Sequence, residues 1–310
     1  MKLKKTTLLK NYNKSICILL TDSDSVNDFL IIKSLSNLKK SRIKTIYFIG
    51  DKNKFLKVYK ISKLSHKFKF INCEIQKKNY YKYLNEITNL GIKLFRKKKI
   101  KFLVNMPINK KKFLKKKYEG YTEFFSYKFD KKKNENMLLY NNNFSVCPLT
   151  THIEIKKIEK KIKKLKILNT IKNINNFFKN YLNQKIKIIV LGLNPHASQD
   201  MNRNNIDNIL IRPIVSKLKK NKVNIDGPVS ADTAFDKMKN KIYIGMYHDQ
   251  VLIPFKMINK FNGINITIGK KLLRLSPDHG TGINIKNKKK LINNTSFINC
   301  IKFCEKFINV

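Results

Sequence analysis

Short apolar runs alternate with amphipathic stretches along most of this chain. Ile16 to Thr21, Ile43 to Ile49, Phe68 to Cys73 and Lys101 to Val104 are runs of strand length, shorter than a helix needs to bury a face. Between them, Val26 to Asn37 and Tyr80 to Lys97 place apolar residues at intervals of three and four, the spacing of one helix face. T-D-S-D-S offers Ser or Asp caps to the first of these helices, and Asp51 can open another. Met137 to Tyr140 and Phe144 to Leu149 flank an Asn-rich turn and read as a strand pair. Ile153 to Tyr181 carries apolar residues at threes and fours and predicts one or two long helices. Further on, strands at Ile186 to Leu191, Ile242 to Met246 and Ile264 to Ile268 alternate with helices near Ile206 to Lys220 and Ala231 to Met238. A last helix covers roughly Thr295 to Ile308. Strands alternating with helices predict an α/β protein with a mainly parallel, layered sheet.

Composition sharpens this picture in two places. The chain has 310 residues, 42% of them hydrophobic, which is enough to bury a substantial core. Its formal charge is +47, a value that raises nucleic-acid binding as a function class. Two features argue against it. Arginine occurs only at 42, 96, 203, 212 and 274, and the lysines are spread along the whole chain. Base readers use arginine, whose planar fork matches guanine and phosphate. The joint excess of Lys, Asn and Ile reads as a substitution bias at exposed positions, and the runs near 110–117 and 288–290 are expected to face solvent. The resulting field still attracts anionic ligands. The five cysteines, at 17, 73, 147, 300 and 304, are odd in number and form no C-x-x-C pair. They support neither a disulfide framework nor a zinc knuckle and fit a reducing compartment, the cytoplasm. The run Ile16 to Thr21 is too short for a signal core or a membrane span.

Chemistry is concentrated between Val190 and Gly282. His196 follows L-G-L-N-P just past one predicted strand, and His248 follows another. His152, in P-L-T-T-H-I, follows the strand at Phe144 to Leu149. Ligand sites in open α/β sheets form beyond the carboxyl ends of strands. Three imidazoles delivered there, with open positions for water or substrate, would make a catalytic metal site. A histidine taken singly is more often a polar surface or capping residue than a ligand; three in equivalent positions carry the reading. Lys256, Asn265 and Arg274 lie beside these motifs. Arg274 can bind carboxylate or phosphate bidentately, whereas Lys256 also reads as one more surface lysine. Asp232, Asp249 and Asp278 are acids in a chain depleted of them. They can orient histidines or cap turns. His279, in D-H-G-T-G, can be a ligand, a base or a turn residue. No G-x-G-x-x-G, P-loop or G-x-S-x-G occurs, so no Rossmann dinucleotide fingerprint is present.

Five motifs carry a resemblance further. N-P-H-A at 194–197, G-P-V-S-A-D-T-A-F at 227–235, M-Y-H-D-Q at 246–250, N-I-T-I-G at 265–269 and R-L-S-P-D-H-G-T at 274–281 resemble the 4-hydroxythreonine-4-phosphate dehydrogenase family of pyridoxal phosphate biosynthesis. T-T-H-I at 150–153, V-N-M-P-I-N-K at 104–110 and Y-T-E-F at 121–124 extend it. The resemblance implies two α/β/α subdomains with a cleft between them, as in isocitrate and isopropylmalate dehydrogenases. The expected division is approximately 1–125 plus 255–310 as a terminal subdomain and 126–254 as a central one.

It also implies a homodimer with its site near the subunit interface, NAD or NADP bound without Rossmann glycines, and a divalent metal such as zinc, magnesium or cobalt. By resemblance the metal ligands are His152, His196 and His248. The substrate contacts are Tyr121, Thr122, Lys256, Asn265 and Arg274, with Lys256 and Arg274 facing the cleft that holds the histidines. The implied reaction oxidises the C3 alcohol of 4-phosphooxy-L-threonine and leads by loss of carbon dioxide to 3-amino-2-oxopropyl phosphate. A sister enzyme acting on threonate or erythronate phosphate is the alternative, and a basic nucleic-acid-binding protein without catalysis is a more distant one. Three departures stand out. Tyr121 replaces the histidine of G-H-T-E and is expected either to offer its hydroxyl to substrate in that histidine's place or to weaken binding and leave Thr122 as the contact. T-D-S-D-S-V-N-D-F replaces G-D-P-A-G-I-G-P-E. S-Q-D-M-N-R replaces the glycine-bearing stretch after N-P-H-A.

Overall fold

The run that begins at Ile16 becomes a strand with every residue buried, Ser15–Leu19. It is the first element of a computed structural model that describes residues 12–22, 24–59, 65–75, 79–110 and 118–308. In chain order the elements are β1 (Ser15–Leu19), α1 (Asn27–Lys33), α2 (Leu35–Lys40), β2 (Thr45–Gly50), α3 (Lys52–Tyr59), β3 (Phe68–Asn72), α4 (Tyr80–Arg96), β4 (Phe102–Asn105) and α5 (Tyr121–Asp130). There follow β5 (Asn136–Tyr140), β6 (Phe144–Pro148), α6 (Ile158–Lys161), α7 (Lys164–Asn180), β7 (Lys187–Leu191), α8 (Arg212–Lys220), β8 (Ile225–Val229), β9 (Lys241–Gly245), α9 (His248–Asn259), β10 (Ile264–Ile268), β11 (Leu273–Pro277) and α10 (Thr295–Phe307).

The chain divides into two compact units. The first runs to Lys133 and includes 264–266 and everything from Lys270; the second is Asn134–Gly263 with 267–269. Five strands of the first unit lie in the order β3-β2-β1-β4-β11, and each neighbouring pair is parallel. Register sets Leu19 opposite Asn105 and Arg274 opposite Leu103. Parallel strands covered on both faces are apolar throughout, as Ile16, Ile18, Leu19, Phe102, Leu103 and Val104 are, all fully buried. Phe48 stacks on Phe55 and Phe70 at 5.9 and 5.1 Å. Fully buried Phe48 and Phe55 each contribute about 1.5–3 kcal/mol by leaving water. Asn79 caps α4, its side chain accepting from the Lys82 amide.

In the second unit the order is β5-β6-β9-β7-β8. β5 and β6 form the antiparallel pair expected across the Asn-rich turn, and β6, β9, β7 and β8 run parallel. Pro148 lies opposite Gly245, and Val190 opposite Ile244, so three neighbouring strands end at nearly one level. Phe144, Tyr243, Val251 and Phe255 pack beneath that level. All five cysteines are free thiols and buried. No helix among the described residues is long and apolar enough to cross a membrane.

Several elements differ from the sequence pattern. The helix expected over Val26 to Asn37 is two, broken at Ser34, whose hydroxyl donates to the Leu30 carbonyl. Within Ile153 to Tyr181 the backbone turns extended at Ile162, separating α6 from α7. Ala231 to Met238 is not a helix but a chain of turns. Asp232 accepts from the Thr233 amide and Asp236 from the Lys237 amide, and Lys237 takes a left-handed φ of 46°. Short acids bonding their own neighbours compete with the helix ladder. β8, β11 and α5 are not evident in the pattern. β8 holds Gly227 and Pro228, residues a strand accepts at a sheet edge, where β8 sits. In β11, Arg274 and Ser276 interrupt the apolar run although both are buried.

Candidate active site

The carboxyl ends of β6, β9 and β7 each lead to one histidine: His152 after Pro148, His248 after Gly245 and His196 after Leu191. His152 and His196 both adopt left-handed backbone, φ 50° in each. His248 is the first residue of α9. The rings of His152 and His248 lie 5.3 Å apart between centroids. His248 donates from Nδ1 to Asp249 Oδ1 at 2.6 Å, and His196 donates from Nδ1 to Asp200 Oδ2 at 3.0 Å. A carboxylate on Nδ1 fixes the tautomer and leaves Nε2 as the nitrogen for a metal. So the donor chemistry suits a divalent cation. The structure brings two of the imidazoles together, and among the described residues no three His, Cys, Asp or Glu side chains lie close enough to hold a metal between them.

Polar side chains tie these strand ends to one another. Thr150 donates to the Met246 carbonyl at 2.7 Å. Gln250 accepts from the Met246 amide and donates to the Gly192 carbonyl, both at 2.7 Å. Asp207, fully buried, accepts from the backbone of the loop that carries His196. Sequence reasoning assigned no role to Gln250 or Asp207. The available signal was an acid 11 residues beyond His196 in a chain with only 20 acids. Gly192 is required by packing: a Cβ there would meet the Ala197 Cα at 2.6 Å.

The first unit holds the anion pocket candidate. Arg274 on β11 is 3% exposed. Its Nε donates to Asn105 Oδ1, its Nη2 donates to Ser276 Oγ at 3.0 Å, and its guanidinium lies 4.9 Å from the Tyr121 ring centroid. Burial lowers its pKa to about 10, which leaves it charged at neutral pH. Asn105, Ser276 and Tyr121 are all neutral, so these contacts hold the cation without discharging it. Thr122 is the buried second residue of α5. Asn265, half-buried on β10, has a buried Oδ1 with no hydrogen-bond partner among the described residues, an acceptor left for a bound molecule.

Tyr121 differs from expectation. Its hydroxyl is bonded to Thr88 Oγ1 at 2.8 Å, and the Thr88 proton goes to the Leu84 carbonyl at 2.7 Å. Tyr121 is therefore the donor, and its one proton is committed inside the core. Desolvation raises its pKa above the usual phenol range, so it does not titrate near neutrality.

The remaining candidates belong to both units. Lys256 is exposed on α9, in the second unit. Exposed Asp232 accepts from the Ser230 hydroxyl and the Thr233 amide, and the Ser230 bond leads the causes that lower its pKa. The Asp278 amide donates to Ser296 Oγ on α10 at 2.8 Å, and His279 Nδ1 donates to the neighbouring Gly280 carbonyl at 2.8 Å. Lys110, Lys288 and Lys290 are exposed. The other lysines of the run near 110–117 lie outside the described residues.

Comparison with known proteins adds an independent line. Residues 15–304 match the family described as pyridoxal phosphate biosynthetic protein PdxA. A 4-hydroxythreonine-4-phosphate dehydrogenase of Sulfurihydrogenibium sp. (strain YO3AOP1) is 32% identical over 298 residues, 88% of this chain and 92% of that protein. One from Aquifex aeolicus (strain VF5) is 32% identical over 306 residues, 90% of this chain and 93% of that protein. Among solved structures, the Klebsiella pneumoniae 4-hydroxythreonine-4-phosphate dehydrogenase superposes with a TM-score of 0.78 at 21% identity, over 96% of this chain and 100% of that one. At that identity the structural likeness speaks for a shared α/β fold.

Proposed function

The chain belongs to the pyridoxal phosphate biosynthetic protein PdxA family, and from that premise we propose that it oxidises 4-phosphooxy-L-threonine with NAD or NADP. The product, 2-amino-3-oxo-4-phosphooxybutanoate, is a β-keto acid that loses carbon dioxide to give 3-amino-2-oxopropyl phosphate. The observation that carries this reading is the delivery of His152, His196 and His248 from the carboxyl ends of three adjacent parallel strands. These residues would hold a zinc, magnesium or cobalt ion. When bound, that ion would supply Lewis acidity toward the C3 hydroxyl, and a nicotinamide would supply the hydride acceptor.

The protein's own residues bind and orient. The Arg274 fork, held flat by Asn105, Ser276 and the Tyr121 ring, binds a phosphate or carboxylate with two parallel hydrogen bonds. Asn265 Oδ1 takes a donor from the substrate amino or hydroxyl groups, Thr122 contributes its hydroxyl, and Lys256 adds positive charge. Asp249 and Asp200 keep His248 and His196 in the tautomer that presents Nε2. Fixing the substrate this way turns a bimolecular encounter into an oriented one.

We infer a homodimer as the working form. Ile253, Met257, Ile258 and Phe261, on α9 and the turn beyond it, are 57%, 74%, 46% and 49% exposed. Apolar side chains grouped this way mark an interaction surface, and they begin five residues after His248. The buried free cysteines support a cytoplasmic setting.

The test is nicotinamide reduction on adding 4-phosphooxy-L-threonine, with and without a chelator, alongside threonate and erythronate phosphates. Reduction with 4-phosphooxy-L-threonine that chelator abolishes is the expected result. Reduction only with the sugar-acid phosphates would transfer the chain to the sister activity, and reduction with neither would end the dehydrogenase reading.

A further inference from the structure

The loop from Leu193 to Ser198 has an unusual backbone. His196, Ala197 and Ser198 carry φ of 50°, 51° and 58° in succession. Left-handed backbone is strained for residues with a Cβ, and three together persist only where the surroundings impose it. The stretch after N-P-H-A, glycine-bearing in the related motif, is S-Q-D-M-N-R here, so none of these residues is the glycine that accepts such a φ most readily.

The surroundings that impose it are specific. Asp207 Oδ1 accepts from the Leu193 amide at 2.7 Å. Its Oδ2 accepts from the Asn194 amide at 3.0 Å, Asn194 Nδ2 at 3.1 Å and Ser198 Oγ at 2.8 Å. Asn194 Nδ2 also reaches Ser198 Oγ at 3.1 Å. From the other side, Arg212 Nη2 donates to the Ala197 carbonyl at 3.2 Å while its Nε is held by Asn208. A fully buried carboxylate that accepts four neutral donors, two of them loop amides, is a designed anchor rather than a cap.

We propose that Asp207 and Ser198 are positioning residues for His196: a side-chain clamp that holds the left-handed loop and fixes the direction in which the imidazole is presented. Ser198 has a double part. Its Cβ worsens the left-handed strain, and its hydroxyl supplies the bond to Asp207 that holds the loop against that strain. The inference rests on the reading of His196 as a metal ligand for its consequence, but the clamp itself stands on the loop geometry.

This double part makes an uncommon prediction. Ser198→Ala keeps the strain and loses the bond; Ser198→Gly loses both. The glycine variant should therefore lie closer to wild type than the alanine variant. Two readouts on the full chain test it: hydrogen exchange of the Leu193 and Asn194 amides, and the dissociation constant for cobalt(II) followed by its absorption. Asp207→Asn and Ser198→Ala should speed exchange at both amides. Asp207→Asn should weaken cobalt binding by about tenfold to a hundredfold, the usual loss for an outer partner of a metal ligand. Ser198→Ala should do the same to a lesser degree, and Ser198→Gly least.

Wild-type exchange and cobalt affinity in Asp207→Asn would overturn the proposal, as would Ser198→Gly no better than Ser198→Ala. Should Asp207→Asn not fold, the two Ser198 variants decide it. If wild type binds no cobalt, the metal reading of the histidines falls. The clamp is then judged by exchange alone, and unchanged Leu193 and Asn194 amides in Ser198→Ala would overturn it.

Discussion

The two units hold their chemistry in opposite ways. In the first, Arg274 sits within a strand, 3% exposed, and its neighbours Asn105, Ser276 and Tyr121 come from β4, β11 and α5. In the second, His152 and His196 sit on loops in left-handed backbone and are exposed, and only His248 belongs to a helix. A charge fixed in the core is pre-oriented by packing and stays so whatever binds. Imidazoles on loops depend on a few polar anchors: Thr150, Gln250 and Asp207.

The sharpest break in that comparison is His248→Ala. It should abolish chelator-sensitive turnover, a larger loss than the roughly 10–100-fold that outer partners of a metal ligand cost. Retained turnover in this variant would remove the second unit from the chemistry. Arg274→Lys comes next. The charge stays but the fork is lost, so kcat/KM should fall about tenfold to a hundredfold, equivalent to about 1.5–3 kcal/mol for a charged hydrogen bond. Kinetics indistinguishable from wild type would place substrate elsewhere. Because Arg274 keeps its charge through neutrality although burial lowers its pKa, its contribution to KM should be flat across that range.

Asp28 offers a stability test within the first unit. It is 4% exposed, and desolvation raises its pKa from 3.8 to about 7 against the opposing fields of Lys54 and Lys286, with Asp22 and Asp51 adding to the rise. The folded state thus binds its proton more tightly than the unfolded chain does, and stability falls as pH rises from about 4 through 7. Asp28→Asn should leave Tm near wild type in the lower part of that window and raise it above pH 7. A wild-type and mutant difference that does not change across the window would refute the burial argument.

The smallest effect concerns Tyr121. Tyr121→Phe removes the bond to Thr88 and should cost about 0.5–1.5 kcal/mol of unfolding free energy with kcat/KM nearly unchanged. A large drop in kcat/KM instead would return the hydroxyl to the substrate. Tyr121→His should introduce a pH dependence near neutrality that wild type lacks.

The chain's local pattern was sufficient wherever an element's cause is local. β1, β2, β4, β6, β7 and β9 follow from continuous apolar runs, and the three histidines could be placed just past β6, β7 and β9 because a strand end and the turn after it are neighbours in sequence. The same reasoning failed at Ala231 to Met238, where Asp232 and Asp236 bond adjacent amides and defeat a helical spacing. It also passed over β8 and β11, whose Gly, Pro, Arg and Ser read as breaks until a neighbouring strand pairs with them.

What tertiary structure alone decided are the partners. The bond from Tyr121 to Thr88 spans 33 residues, and that from Arg274 to Asn105 spans 169. No periodicity records a contact between side chains so far apart, because the chain in between can be of any length and pattern. Substitution in the family's histidine position therefore read as a new donor to substrate, when packing had already turned that hydroxyl inward. Asp207 was missed for the same reason: an isolated acid becomes an anchor only when the fold buries it against four donors with no water to compete.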